Sequence, residues 1–252
     1  RFPVIAIRDM GRAQVARLAE LGIDRLYAAV GGSMGGMQAL SLAAHWPQLT
    51  DRLLLVACTA QMGAQNIAFQ EVGRQSIMAD PNWQGGAYYG TGKAPDAGLA
   101  VARMAAHITY LSEASLTEKF GRRLQNRDSK SFGFDADFQI ESYLRYQGIS
   151  FISRFDANSY LYITRAMSYF DLAEEHSGRL ADAFAGTTAR FCVVSFDTDW
   201  LYPTEQSRRP VHALSAAGAA VSFVELSAPY GHDSFLLDVP ALDRVVTGFL
   251  AW

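Results

Sequence analysis

The residue with the clearest chemical use in this chain is a serine set among glycines. Ser33 lies in the run GGSMGG at 31–36, which has the form G-x-S-x-G and stands between an apolar segment at 26–30 and a helix-like one at 37–45. Glycines let a strand turn sharply into a helix and present the serine hydroxyl clear of its neighbours. A hydroxyl becomes a nucleophile when a base takes its proton. The spacing therefore predicts nucleophilic chemistry at Ser33.

A base and a carboxylate that could activate Ser33 both follow it in the chain. His232 comes shortly after the apolar segment 220–226, and Asp197 and Asp199 follow the apolar run 190–196. The order serine, aspartate, histidine is that of the α/β-hydrolase fold. The spacing alone leaves two points open. Either aspartate could orient the histidine, and His232 could instead be a turn residue satisfied by local hydrogen bonds.

The elements around these residues alternate as in a parallel α/β sheet. The pattern predicts helices at 9–22 and 34–46 with strands at 25–32 and 52–59, then strands at 190–196 and 220–226 with helices at 204–217 and 239–252. In such a sheet, chemistry gathers at the carboxyl ends of the strands. Ser33, the two aspartates and His232 all follow predicted strands.

Between these two zones the alternation disappears. Helical patches at 66–78, 99–112, 139–147 and 159–169 are separated by clusters of Gly, Pro and Asp. We interpret the segment as a helical insertion that acts as a lid. The predicted organisation is a core of residues 1–61 and 189–252 and a helical lid of residues 62–188.

Composition limits the classes of partner and location. The chain has 252 residues, half of them apolar, and a formal net charge of −3. This charge gives no reason to expect nucleic acid or an acidic membrane surface as a partner. No apolar stretch approaches the length of about 18 residues that a membrane span needs. Cys58 and Cys192 lie in apolar segments and are expected to be reduced core residues, which favours the cytoplasm.

Seven strings spread along the chain carry a more specific signal. In order they are GGSMGGMQAL at 31–40, AQNIAF at 64–69, ARM at 102–104 with HITYLS at 107–112, ESYLRYQG at 141–148, RFDAN at 154–158, DWLYP at 199–203 and GHDSFL at 231–236. With these strings the chain resembles the homoserine O-acyltransferases of the α/β-hydrolase fold over nearly its whole length. The resemblance implies acyl transfer from acyl-CoA to the hydroxyl of L-homoserine, a step toward methionine, by a ping-pong route through an acyl-serine.

The resemblance also implies roles for single residues. Ser33 is the expected nucleophile, His232 the general base and Asp199 the residue that orients the base. Asp199 is preferred because the family string begins at the aspartate directly before Trp200, whereas turn amides could satisfy Asp197. The N–H of Met34 is expected to face the oxyanion, since it follows the nucleophile.

Substrate recognition is likewise implied by the resemblance. Arg103 is expected to hold the carboxylate of homoserine, and Asp233 its ammonium group. Succinyl-using members tend to have Arg where this chain has Leu201, so the expected acyl donor is acetyl-CoA. No metal and no cofactor other than this co-substrate is expected. A homodimer formed through the lid helices is expected as well.

The chain also departs from the family. Members carry a long further segment that includes the first sheet strands and a loop with a second oxyanion N–H, and only 32 residues precede Ser33 here. We therefore expect a chain that lacks N-terminal strands and is a fragment, which could be inactive by itself. A succinyltransferase, a serine esterase or thioesterase on the same fold, and a catalytically inactive binding module remain open alternatives.

Overall fold

A computed structural model describes residues 2–251, and these residues separate into two compact units. The sheet unit comprises residues up to Gly63 and from Ala166 onward, and the helical unit comprises Ala64–Arg165. No helix within the described residues is both long and apolar enough to cross a membrane.

The sheet unit contains four parallel strands in the order β1 (Ala29–Gly32), β2 (Arg52–Val56), β3 (Arg190–Phe196) and β4 (Ala220–Leu226). The predicted parallel α/β class is confirmed, and β3 and β4 have the predicted bounds. Because the strands are parallel, their carboxyl ends lie at one edge of the sheet. The residues that follow β1, β3 and β4 therefore meet at this edge.

The helices have the following bounds. They are α1 (Ile7–Glu20), α2 (Met34–His45), α3 (Ala64–Ala79), α4 (Asp96–Tyr110), α5 (Glu113–Lys119), α6 (Gln139–Ile152), α7 (Ala157–Ser168), α8 (Thr204–Ala216) and α9 (Pro240–Ala251), with short 3₁₀ helices at Gln84–Gly86, Glu174–His176, Leu180–Phe184 and Gly231–Leu236. The sequence pattern did not predict α5. It begins where the Ser112 side chain accepts a hydrogen bond from the N–H of Ser115, a standard helix N-cap.

Two apolar clusters cover the two faces of the sheet. Alternate residues of a strand point to opposite faces, so Leu53 and Leu55 of β2 enter one cluster and Leu54 and Val56 enter the other. Burial of each such side chain contributes about 1.5–3 kcal/mol. Both cysteines are buried and unpaired, as expected. Burial raises the pKa of the Cys58 thiol to about 12, so this thiol stays protonated.

The second boundary of the predicted lid differs from the structure. Residues 166–188 were expected in the lid, but they belong to the sheet unit. Phe170, Leu172 and Phe184 are buried in the same apolar cluster as Leu53, and the N–H of Met62 donates to the carbonyl of Phe170. Beyond the end of α7 at Ser168, this segment is built from turns, an isolated β-bridge at Asp171 and 3₁₀ helices. It therefore has neither the strand nor the helix period that would have shown where it packs.

The helical unit has its own apolar cluster, which includes Ile77, Leu99 and Phe151. Two glycines allow its helices to approach closely. A Cβ at Gly98 of α4 would clash with the backbone of α3, and one at Gly148 of α6 would lie 2.9 Å from the Ala100 carbonyl of α4. Close helix contact fixes the orientation of the α4 side chains.

Candidate active site

Ser33 sits in a strained turn between β1 and α2. Its backbone has φ 54° and ψ −121°, in a region that residues other than glycine rarely adopt. The N–H of Ser33 donates to the carbonyl of Val56 at 2.9 Å, and the Ser33 carbonyl accepts from Gly36 at 3.0 Å. Strain of this kind persists only where the surroundings enforce it, and it is common at functional sites.

The flanking glycines are required by close approach. A Cβ at Gly31 would collide with the carbonyl of Gly35, which is backbone and cannot move aside. A Cβ at Gly36 would lie 2.5 Å from the Cβ of buried Cys58. The motif therefore reflects the space available at the turn as well as its backbone angles.

Three side chains from the ends of β1, β3 and β4 form a continuous hydrogen-bonded relay. The distance from Ser33 Oγ to His232 Nε2 is 2.9 Å, and the distance from His232 Nδ1 to Asp199 Oδ2 is 2.8 Å. This network assigns the imidazole proton to Nδ1, so that Nε2 accepts from the serine hydroxyl. The arrangement can remove the proton of Ser33 as its Oγ attacks an acyl group.

The structure brings Asp199, rather than Asp197, against the histidine. The Asp199 side chain is fully buried, and its second oxygen accepts hydrogen bonds from the N–H groups of Leu201 and Tyr202 at 3.0 and 2.9 Å. Asp197 is exposed and accepts from the N–H of Ala228 at 3.1 Å. The two aspartates that sequence spacing left open thus have different surroundings.

Other residues that sequence reasoning missed hold the histidine in place. The His232 ring contacts the rings of Tyr202 and Phe235, with centroid distances of 5.1 and 5.4 Å. The Thr198 hydroxyl donates to the carbonyl of Ala228 and accepts from the N–H of Gly231 at 3.1 Å. The only sequence signal for Thr198 was its place between the two candidate aspartates.

The remaining predicted residues of the sheet unit lie near this relay in the chain. Met34 is the first residue of α2, so its N–H has no acceptor within the helix and lies at the positive end of the helix dipole. Asp233 follows His232 in the 3₁₀ helix Gly231–Leu236. Leu201 is half-buried against the apolar cluster that contains Leu53. Their proposed contacts with substrate stay predictions.

Arg103 lies in the helical unit on α4. Its guanidinium carbon is 4.8 Å from the ring centroid of Phe151 and 5.4 Å from that of Tyr110. Its Nε is buried and has no hydrogen-bond partner among residues 2–251. A guanidinium that packs on aromatic faces, and whose Nε has no partner in the described part of the chain, is suited to bind an anion.

Comparisons with known proteins identify the family of this chain. The pattern that defines the alpha/beta hydrolase fold family matches residues 1–239. A homoserine O-acetyltransferase of Zymomonas mobilis subsp. mobilis is 70% identical over 249 residues, which cover 99% of this chain and 67% of that protein.

Two solved structures are similar to nearly the whole chain. A crystal structure of homoserine O-acetyltransferase from Bacillus anthracis has a TM-score of 0.90 at 25% identity and covers 99% of this chain, which spans 66% of it. The esterase E22 has a TM-score of 0.88 at 29% identity, with 99% of this chain and 67% of that one covered. The chain thus spans about two thirds of the length of the proteins it matches. It belongs to the α/β-hydrolase fold family and, within that fold, to the homoserine O-acyltransferases.

Proposed function

We propose that the protein transfers an acetyl group from acetyl-CoA to the hydroxyl of L-homoserine, in methionine biosynthesis in the cytoplasm, through an acyl-enzyme on Ser33. The observation that carries this proposal is the relay of Ser33, His232 and Asp199 in a chain closely similar to homoserine O-acetyltransferases. No metal is required, because the relay supplies the base and the nucleophile.

In the first half-reaction, Ser33 Oγ attacks the thioester carbonyl while His232 Nε2 takes its proton. The N–H of Met34 stabilises the negative charge that develops on the carbonyl oxygen. Asp199 stabilises the imidazolium and keeps the ring in position. The tetrahedral intermediate collapses, the thiolate of CoA leaves with the proton from His232, and Ser33 carries the acetyl group.

In the second half-reaction, the homoserine hydroxyl takes the place of the serine hydroxyl. His232 removes its proton, the oxygen attacks the acyl-serine, and the proton returns to Ser33 Oγ as the ester product forms. Arg103 binds the carboxylate of homoserine and Asp233 binds its ammonium group. Opposite charges at these two residues suit an amino-acid acceptor.

The assay follows the two products separately. The native protein is incubated with acetyl-CoA, with and without L-homoserine, while released CoA is measured by thiol titration and O-acetylhomoserine by mass spectrometry. We expect both products to form together and to depend on homoserine. CoA release at the same rate without homoserine would identify a thioesterase instead.

Ester hydrolysis is the second candidate, and the similarity to esterase E22 favours it. Hydrolysis uses the same relay with water as acceptor. The two functions are distinguished by adding homoserine to a reaction with p-nitrophenyl acetate. A transferase diverts the acetyl group to homoserine, whereas a hydrolase releases acetate in its presence.

We also propose that the helical unit forms a homodimer contact. Val101 and Ile108 lie seven residues apart on α4, Tyr146 and Ile149 lie three apart on α6, and all four are exposed. Exposed apolar side chains at such spacings on a helix are common at interfaces between subunits. Light scattering of the native protein measures the oligomeric state, and a Tyr146→Glu variant should shift it toward monomer.

A further inference from the structure

Arg103, the proposed ligand of the homoserine carboxylate, shares one face of α4 with two further polar side chains. Arg103, His107 and Tyr110 are spaced four and three residues apart, so they share one side of the helix. The guanidinium carbon of Arg103 lies 5.4 Å from the Tyr110 ring centroid, and the His107 ring lies 5.8 Å from it, edge on. The ring of Tyr110 thus contacts both the guanidinium and the imidazole.

Arg103 and His107 each have one buried nitrogen that forms no hydrogen bond within residues 2–251. These two nitrogens are Arg103 Nε and His107 Nδ1. His107 as a whole is only 7% exposed. Buried polar atoms are almost always hydrogen-bonded in folded proteins, so two exceptions close together on one helix face need an explanation. A ligand that accepts hydrogen bonds from both would provide one.

The surroundings of His107 define its protonation state. Its Nε2 lies 2.6 Å from the hydroxyl oxygen of Tyr143. Burial, together with the nearby charges of Arg103 and Lys119, lowers the pKa of His107 to about 4. The imidazole is therefore neutral at neutral pH and carries one proton. If the Tyr143 hydroxyl donates to Nε2, that proton is on Nδ1, the nitrogen without a partner.

We propose that His107 is a specificity-determining residue of the acceptor site, where its Nδ1–H donates a hydrogen bond to the carboxylate that Arg103 binds. This inference rests on the proposed function, since it takes homoserine as the acceptor. A carboxylate fits better than an ammonium group, because Arg103 and Lys119 make this region positive. A carboxylate also has about four lone-pair positions, so a forked guanidinium leaves some free for an imidazole.

The test uses two substitutions, each of which keeps a hydrogen-bonding group at the position of only one imidazole nitrogen. The side-chain amide of Asn reaches the position of Nδ1, and that of the longer Gln reaches the position of Nε2. In His107→Asn we expect kcat/KM for homoserine to stay within about threefold of native. In His107→Gln we expect it to fall about 10- to 100-fold, the range for losing one hydrogen bond to a charged group. The acylation burst with acetyl-CoA reports the other half-reaction, and we expect it to be similar in both variants and the native protein.

A purely structural role gives the reverse order. If His107 served only to hold Tyr143, the Gln variant would resemble native protein and the Asn variant would lose activity and thermal stability together. That order, or two variants equal to native, would overturn the proposal. His212→Gln, which changes an exposed histidine of α8, is the matched control for histidine replacement.

Calorimetric titration of L-homoserine into Ser33→Ala protein separates this inference from the proposed function. We expect Ser33→Ala proteins with His or Asn at position 107 to bind homoserine more tightly than the protein with Gln there. L-Homoserinol, which lacks the carboxylate, should bind without regard to residue 107. If homoserine binds to the Ser33→Ala proteins in this order but the protein with Ser33 intact forms no O-acetylhomoserine, the transferase is refuted and the His107 assignment is kept. Absence of homoserine binding, or equal binding by all variants, would refute the assignment itself.

Discussion

The relay in the sheet unit and the polar cluster in the helical unit differ in how completely their atoms are paired. In the relay, both nitrogens of His232 and both oxygens of Asp199 have partners. In the cluster, Arg103 Nε and His107 Nδ1 are buried without partners among residues 2–251. Groups that perform proton transfer benefit from being fixed in advance. Groups that recognise a ligand must leave hydrogen-bonding capacity for it.

This difference predicts how substitutions divide between the two half-reactions. The relay is used when the acyl group arrives and again when it leaves, so changes there should slow both steps. The cluster is proposed to contact only the acceptor, so changes there should slow only the second step. Ping-pong kinetics separate the two, because kcat/KM for each substrate reports its own half-reaction.

The largest effect is expected from Ser33→Ala. Without the nucleophile no acyl-enzyme forms, and we expect turnover to fall on the order of 10⁴-fold or more, since relay residues act as a unit. Mass spectrometry after mixing with acetyl-CoA should show no added acetyl group. An Ala variant that transferred acetyl groups at a near-native rate would rule out the covalent route.

Arg103→Lys should give the next largest effect and a one-sided one. Lysine keeps the positive charge but loses the planar fork and its stacking on Phe151. We expect kcat/KM for homoserine to fall about 10- to 100-fold, while the acylation burst stays close to native. If both half-reactions slowed equally, Arg103 would instead have a structural role.

Leu201→Arg tests the donor. Leu201 is apolar and offers no partner to the distal carboxylate of a succinyl group, whose burial unpaired is costly. The new cation should raise the ratio of kcat/KM for succinyl-CoA to that for acetyl-CoA by on the order of tenfold. The measurement also decides the donor of the native protein. A native preference for succinyl-CoA would refute the acetyl assignment.

The sequence predicted those features that depend on local pattern. β3 and β4 were placed at their observed bounds, because β3 is a continuous apolar run and clear breaks flank both strands. The turn at Ser33 was predicted from its glycines, and the order of the relay residues from their positions after strands. Each of these signals lies within a few neighbouring residues.

Features that arise from tertiary contacts could not be predicted in this way. Residues 169–188, which follow α7, pack into the sheet unit although they carry no regular period. Within residues 2–251, His107 Nδ1 has no hydrogen-bond partner because of which atoms of α4 and α6 face each other, and no spacing in the sequence encodes this. Thr198 is a similar case, since its hydroxyl joins two loops that are 30 residues apart in the chain.

Thr198 gives the test with the smallest expected effect on the difference between the relay and the cluster on α4. Its hydroxyl contacts Ala228 and Gly231, both buried, in the loop that leads to His232. Valine has the same shape without the hydroxyl, so Thr198→Val leaves a carbonyl and an N–H unpaired, at about 1–3 kcal/mol of stability. Without these hydrogen bonds, a small shift of the loop would misplace the His232 imidazole. Thr198→Ser keeps the hydroxyl and should restore both hydrogen bonds.

We expect Thr198→Val to slow both half-reactions by about three- to tenfold, because effects on placement are weaker than loss of the reacting group itself. Thr50→Val is the matched control, since Thr50 is also buried in the sheet unit and donates to a main-chain carbonyl, that of Arg52, at 3.0 Å. It should lower the thermal midpoint similarly and leave turnover unchanged. Two outcomes would contradict this prediction: Thr198→Val slows only the homoserine step, or Thr50→Val slows turnover as much as Thr198→Val does. In either case, complete hydrogen bonding around His232 would not be what distinguishes the relay from the cluster on α4.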